Sequence, residues 1–506
     1  VTLNAGGFPN GMNQAQRILK NILTLTTAQF VGSALSLLVV VLIARSLGAE
    51  KFGHYSMIMA IAAVFQLIAD GGVNNIMIRE MARKKNEISV WLGTTKSLIW
   101  ILSVAAFGLM VIAFQFVTSD PQVRMAGYLM GAAVLATFHA VVYNSVFRAF
   151  EEMEYNALTF VSHKVLLLTL IALFLFFRFG LIGVVSAYLV SNVCLWMFSY
   201  YLVSVKYVRP RLRIDLSAWK SLLKDAIPLG VAAIVRRIGW QVDILILTSI
   251  GTASAVGYFS AAYKIIQAVN LIPSIVVIPL FPAFARLAME SAEKLGKIYE
   301  QSVKFLVILG LPVVIILMML SDRIVKLCFG TAFSPSAGAL TLLAWTVLFL
   351  FPTAIFASLF TALGQQRLFT LSCLAALTIN VALDFALIPG MSFLGACIGT
   401  LAAEVTLFAI GNYFLVRLGY RLRPIGLLWK PVLAGGAMAL VLVPVQQAAL
   451  WVVAGGAVLS GAVYLALLLV LKAFSPQEKE LGRQMLRGEW RKRGKSPPAE
   501  AGEGIG

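Results

Sequence analysis

Apolar runs of about 20 residues follow one another along nearly the whole chain, each long enough to cross about 30 Å of hydrocarbon as a helix. Lipid offers no water to unpaired N–H and C=O groups, so runs of this kind fold as helices or not at all. The pattern predicts an all-α polytopic membrane protein with about fourteen transmembrane helices. Composition agrees, since 60% of the residues are hydrophobic and 12% charged, against roughly 25% charged in soluble domains. The four cysteines, Cys194, Cys328, Cys373 and Cys397, form no CxxC pair and read as packing residues. The first apolar run is too long for a cleavable signal and lacks a small-residue cleavage site, so none is expected.

Lys and Arg orient the array. They cluster from Arg79 to Lys85, Lys206 to Lys224, Arg286 to Lys304, Arg417 to Lys430 and Lys472 to Lys495. Alternate loops hold little beyond Arg45, Lys51, Arg124, Arg178, Arg323 and Lys326. Roughly thirty basic residues on one side against about six on the other put both termini in the cytoplasm. The net charge of +19 is then loop charge facing anionic membrane lipids, and nucleic acid is not an expected partner. The tail from Ser475 opens with a basic amphipathic stretch suited to an interfacial anchor and ends in SPPAEAGEGIG, which reads as disordered.

Two pairs of segments echo each other. LGAEKFGHYSM and IGTASAVGYFSAA share Gly-x-aromatic-Ser, Gly53–Ser56 against Gly257–Ser260. FGLIGVVSAY and SFLGACIGT align Gly183 with Gly395. An internal repeat of six spans follows. Six is even, so two six-helix lobes enter the membrane from the same side, related by a pseudo-two-fold axis along its normal. The expected organisation is an N-lobe at 17–205, a basic cytoplasmic linker at 206–225, a C-lobe at 226–416, two further spans at 431–471 and a tail at 472–506.

Polar residues inside the spans carry the functional reading, because a charge at the bilayer centre costs about 2.5–3.5 kcal/mol on insertion scales. In INVALDFALIPGMSFLGACIGT, Asn380 and Asp384 precede a Pro-Gly turn, and the next span re-enters near Ser392 with Ala396 and Thr400 on one face. At 1.5 Å per residue, Asp243 of the seventh span arrives at about the same depth. Two carboxylates, an amide, a hydroxyl and a carbonyl suit a hard monovalent cation. A proton held between the carboxylates is the alternative, and Glu404, one turn beyond Thr400, strengthens it. Pairing of each acid with a helix backbone or a neighbouring Arg is the competing, purely structural reading. Arg236, Arg237 and Lys264 fall near the midplane, and Gln267 follows Lys264 by three residues. Cations at that depth face aqueous cavities and suit a phosphate-bearing substrate; a salt bridge between Arg236 and Asp243 competes with that role. In the first repeat Asp70 lies near the inner end of the second span with Arg79 following, and Arg45 caps the outer end of the first. Lys96 and Lys164 are expected to snorkel to the interface, and His139 and His163 to be satisfied structural residues. No HExxH, GxSxG or Walker sequence is present, so nucleotide hydrolysis is not expected.

The chain resembles O-antigen and polysaccharide flippases of the multidrug/oligosaccharidyl-lipid/polysaccharide exporter superfamily. The resemblance covers about residues 17–420 and rests on ARSLGAEKFGHYSM, LIADGGVNNIMIREMARK, DILILTSIGTASAVGYFSAAYKI and ALGQQRLFTLSCLAALTINVALDFALIPGMSFLGACIGTLAAE. It implies a monomeric, two-lobed transporter in the bacterial inner membrane, with a central cavity opening to each side in turn. The implied substrate is an undecaprenyl-diphosphate-linked oligosaccharide. By the same resemblance Lys264 serves the diphosphate, with Arg236, Arg237, Arg45 and Arg79 as further candidates. Asp243, Asn380, Asp384, Ala396 and Thr400 fall on the sodium site of related lipid II flippases, with Glu404 and Asp70 as the proton alternative. No cofactor other than a coupling Na+ or H+ is implied. The arginine-rich first span of those relatives is replaced here by TLTTAQFVGSALS, which disfavours lipid II and leaves the N-lobe phosphate contacts open. Two other functions compete: a multidrug or cation exporter of the same superfamily, and a membrane glycan ligase or polymerase, for which the outer loops are short.

Overall fold

The computed structural model describes residues 14–70, 72–208, 212–422 and 424–473. Within them the chain is helical, and eleven helices are long and apolar enough to cross a membrane. A twelfth span results if 336–344 and 347–362, bent by 51°, count as one. The expected fourteen is not reached by that measure. One reason is that α1 (Gln14–Asp70) is 57 residues long and contains the first expected span and most of the second. A straight helix of that length would run about 85 Å. It turns at Gly48, where φ 74 and ψ 174 are non-helical, a conformation glycine reaches without Cβ strain.

The first six helices continue with α2 (Val73–Arg83), α3 (Ile88–Val117), α4 (Pro121–Ala149), α5 (Met153–Phe176) and α6 (Gly180–Lys206). The second expected span ends early, because the chain breaks at Gly72, whose φ is 84, and restarts as the short α2. α4 packs along α6 and α3, and α5 against α1. Next come α7 (Leu216–Gly239), α8 (Val242–Ile250), α9 (Ala253–Val269), α10 (Leu271–Glu290), α11 (Ala292–Met319), α12 (Ser321–Phe329), α13 (Ser336–Ala344), α14 (Val347–Ala362), α15 (Gln366–Met391) and α16 (Phe393–Arg417). Part of the expected 206–225 linker is therefore helix. Asp215 caps α7 by accepting from the Ala218 amide at 3.1 Å, and the Ser217 hydroxyl, then that amide, hold its carboxyl below the usual range. Thr252 caps α9 in the same way. The final pair, α17 (Pro424–Leu442) and α18 (Leu450–Val470), stands on α11 through a separate apolar cluster that includes Ile308, Met438 and Leu468. The Tyr464 hydroxyl anchors it by donating to the Ile308 carbonyl at 2.9 Å.

Contacts sort the loops into two ends. At one end Lys20 pairs with Glu154, Lys206 with Glu152, and the Trp219 indole donates to the Thr94 carbonyl at 3.1 Å. Most of the basic clusters lie at this end. At the other end α1 crosses α9, and the two glycines matched by the repeat meet there. A β-carbon on Gly53 would fall 1.8 Å from the Ala253 carbonyl oxygen, and one on Gly257 2.1 Å from that of Ala49. Ala49-x-x-x-Gly53 and Ala253-x-x-x-Gly257 form a reciprocal small-residue crossing of the kind that lets helix backbones touch in lipid. The tail beyond Ala473 lies outside the described residues.

Candidate cation and anion sites

The α15–α16 hairpin builds the first site. α15 runs through Pro389 and Gly390 as helix, so the expected Pro-Gly turn is displaced to the single residue Ser392, at φ 53 and ψ −135. Gly395 permits so tight a reversal, since a β-carbon there would lie 2.6 Å from the Leu387 carbonyl carbon. Asp384 and Thr400 are equally far from Ser392 along the two arms and so share one level. The third contributor comes from a break in the expected seventh span. α7 stops at Gly239, and α8 starts at Val242 with Asp243 in its first turn. The positive end of the α8 dipole therefore faces the Asp243 carboxylate, a broken-helix arrangement common at ion sites in transporters.

Side chains converge there. Asn380 Nδ2 donates to Asp243 Oδ1 at 2.8 Å, and Thr400 Oγ1 reaches the same oxygen at 3.1 Å and the Ala396 carbonyl at 2.9 Å. Asp243 and Asn380 are 2% exposed and Asp384 is 0% exposed. Neither oxygen of Asp384 has a hydrogen-bond partner. The missing side chain of Gly399 makes room for it: a β-carbon there would be 2.2 Å from Asp384 Oδ1 and 3.1 Å from Asn380 Nδ2. The two carboxylates thus flank one amide, with unused oxygens turned inward and out of water. Such a set repels itself unless a proton or a small cation lies within it. The groups that converge are two carboxylates, an amide, a hydroxyl and a main-chain carbonyl, and among the described residues no group of three or more His, Cys, Asp or Glu is placed to hold a metal.

A cleft of about 740 Å³, its open mouth included, adjoins this cluster and is lined by Asn380 and Thr400 together with Trp240, Tyr263, Gln267 and Glu404. The Lys264 ammonium donates to Oε1 of the lining residue Gln267 at 2.9 Å. Its partner is a neutral amide, so the ammonium stays available to an anion.

The other sequence candidates disperse. Arg45 donates to the carbonyls of Cys328, at 2.9 Å, and Leu327. It therefore clasps the negative end of α12 at the face where α1 meets α9, and not a central chamber. Arg79 is exposed on α2 and bonded to Glu80 at 3.0 Å. Arg237 is exposed, and the side chains of Asp70 and Arg236 lie outside the described residues. The histidines depart from expectation. The buried His139 ring sits 5.0 Å from both Trp100 and Trp196, and neither of its nitrogens is hydrogen-bonded. His163 Nε2 is likewise without a partner. Lys96 does not simply snorkel, since its ammonium lies over the Tyr143 and Tyr200 rings at 5.7 and 5.9 Å. Sequence reasoning missed Gly399 and the Ala-x-x-x-Gly crossing. The second was readable as small residues four apart in both copies of the repeat.

The sequence model of a family described as polysaccharide biosynthesis protein matches residues 18–288. The chain is 25% identical over 324 residues to the lipopolysaccharide biosynthesis protein WzxC of Escherichia coli, covering 61% of this chain and 62% of that one. It is 22% identical over 373 residues to a putative O-antigen transporter of Shigella flexneri, covering 70% and 87%. Its fold is similar to that of a lipid II flippase, MurJ, in an inward closed conformation, with TM-score 0.75 over 89% of this chain and 98% of that one at 14% identity.

Proposed function

The chain belongs to the polysaccharide biosynthesis protein family, among the flippases of the multidrug/oligosaccharidyl-lipid/polysaccharide exporter superfamily, and from that premise we propose that it moves an undecaprenyl-diphosphate-linked oligosaccharide from the inner to the outer leaflet by cation-coupled alternating access. It is a transporter and not an enzyme: no bond is made or broken. The membrane is the bacterial inner membrane, with both termini and the basic end of the bundle in the cytoplasm, as the loop charges favour.

In this reading Asp243, Asn380, Asp384, the Ala396 carbonyl and Thr400 hold the coupling ion. Sodium suits the oxygen set, and a proton shared by the two carboxylates is the alternative. The observation that carries the reading is the wholly buried Asp384 carboxylate with both oxygens unpartnered, which only a positive species can compensate. Lys264 receives the diphosphate, because its ammonium gives up no carboxylate when it turns to phosphate oxygens. Each charge crossing with the membrane potential supplies about 2.3 kcal/mol per 100 mV.

The test is surface glycan in a strain lacking the native protein. Lys264→Ala and Asp384→Ala are each expected to lower display by an order of magnitude or more while the protein stays in the membrane. Wild-type display by both variants would end this mechanism. The cleft-lining Glu404 favours a second reading, export of a cationic drug, which drug-susceptibility assays separate from the first.

A further inference from the structure

The cleft beside the cation cluster holds a carboxylate that the cluster does not use. Glu404 lies one helical turn beyond Thr400 on α16, so the two side chains project from one face of the helix. Both line the same cleft as Asn380, which makes the cleft continuous with two ligands of the cluster. Glu404 is half-buried, and its carboxylate has no hydrogen bond or ion pair among the described residues. Lys264 forms no ion pair with it; that ammonium donates to Gln267 Oε1 at 2.9 Å. A bare carboxylate at this depth is costly. Opening onto a cleft reduces the cost, since water or a passing cation can reach it.

Depth orders the groups. Counting from the Ser392 turn, Thr400 lies about 12 Å and Glu404 about 18 Å along α16. The cluster is closed, with Asp243, Asn380 and Asp384 almost without exposure, so an ion needs a route to it. The cleft reaches Asn380 and Thr400, and Glu404 is the charged group along it. Conduction needs binding strong enough to draw an ion in and weak enough to release it, and successive sites of unequal strength meet that need.

We propose that Glu404 is a second, transient station for the coupling cation, which passes between bulk water and the Asp243–Asp384 cluster through this cleft. The inference rests on the cation reading of that cluster. At Glu404 the ion keeps most of its water and one carboxylate. It then sheds water to the Thr400 hydroxyl and the Asn380 amide as it moves on, and leaves by the reverse path. Gln267, in the same lining, ties the route to the ammonium assigned to substrate.

Radioactive sodium is the probe, with the purified full chain as wild type, Glu404→Gln and Asp384→Asn. Glu404→Gln is expected to keep the wild-type number of sodium sites while slowing association and release about tenfold. Asp384→Asn is expected to lose the sites. Retention of the full number of sites by Glu404→Gln also shows that it is folded. Wild-type exchange rates in Glu404→Gln, with sodium binding lost in Asp384→Asn, would overturn the station and leave the cluster standing. Undiminished sodium binding by Asp384→Asn would instead remove the sodium reading of the cluster, and a wild-type chain that takes up no sodium would overturn that reading and the station together, leaving the proton alternative.

Discussion

Gly399 shows how little space the cation cluster has. Any β-carbon there would lie 2.2 Å from Asp384 Oδ1, so Gly399→Ala must displace the Asp384 carboxylate from its place in the cluster. Overpacking of this kind costs about 1–3 kcal/mol. Gly399→Ala is expected to fold with a modestly lower Tm and to lack the sodium-dependent Tm increase expected of the wild-type chain under the proposed cation site. A sodium-dependent thermal shift equal to wild type would contradict the geometry. The cluster itself was legible in the sequence. Helices are rigid rulers, so depth counted along three spans brought Asp243, Asn380, Asp384, Ala396 and Thr400 together before any coordinates. Gly399 was not legible, because a residue that matters for the atoms it lacks leaves no polar signal in a hydrophobic run. The same limit applies to Arg45, a substrate candidate in the sequence: its partners are carbonyls of a helix far along the chain, and main-chain acceptors carry no mark in the sequence.

Among the elements, the crossing of α1 and α9 is the most exacting. Each glycine fills a place where a side chain would strike the other helix's main chain, so Gly53→Val and Gly257→Val are both expected to pry the helices apart. The small cleft next to the crossing, lined by Gly53 and Thr248, supplies the readout. With Thr248→Cys as reporter, either valine should raise maleimide labelling several-fold, from the face opposite the cytoplasm in the proposed orientation. Equal labelling with and without the valines would mean that the crossing is not a seal. Hydropathy located the helices but not their joints. Gly48, Gly72 and the break between Gly239 and Val242 all fall beside charged or polar residues, Arg45 and Lys51, Asp70 and Asn74, Arg237 and Asp243, but hydropathy averaged over a whole span does not mark a change of direction. The fourteen expected spans and the eleven or twelve helices that satisfy a span's length and apolarity differ for that reason.

On the scale of the whole molecule, the first six helices meet the rest at both ends. The basic end is tied by Trp219 to Thr94 and by packing of α2 on α7. The opposite end is tied by the α1–α9 crossing and by Arg45 on the α12 carbonyls. Alternating access requires these ties to break in turn, so their relative strengths set the resting state. Arg45→Ala removes charge-assisted bonds that reach about 1.5–3 kcal/mol when shielded from water and less where exposed, as here. A loss of about 1.4 kcal/mol moves a two-state balance tenfold. Arg45→Ala is therefore expected to populate the outward-open form more, read as faster labelling of the same Thr248→Cys reporter at unchanged Tm. Slower labelling would place Arg45 elsewhere in the cycle.

The α1–α9 contact has one more consequence. Two copies of a single motif grip each other inside one polypeptide as identical subunits do across a two-fold axis. Neither jaw leads and neither follows, so the grip must let go on both sides together. A wedge that holds it open has to press equally on both halves, and an inhibitor built with two-fold symmetry of its own fits that demand.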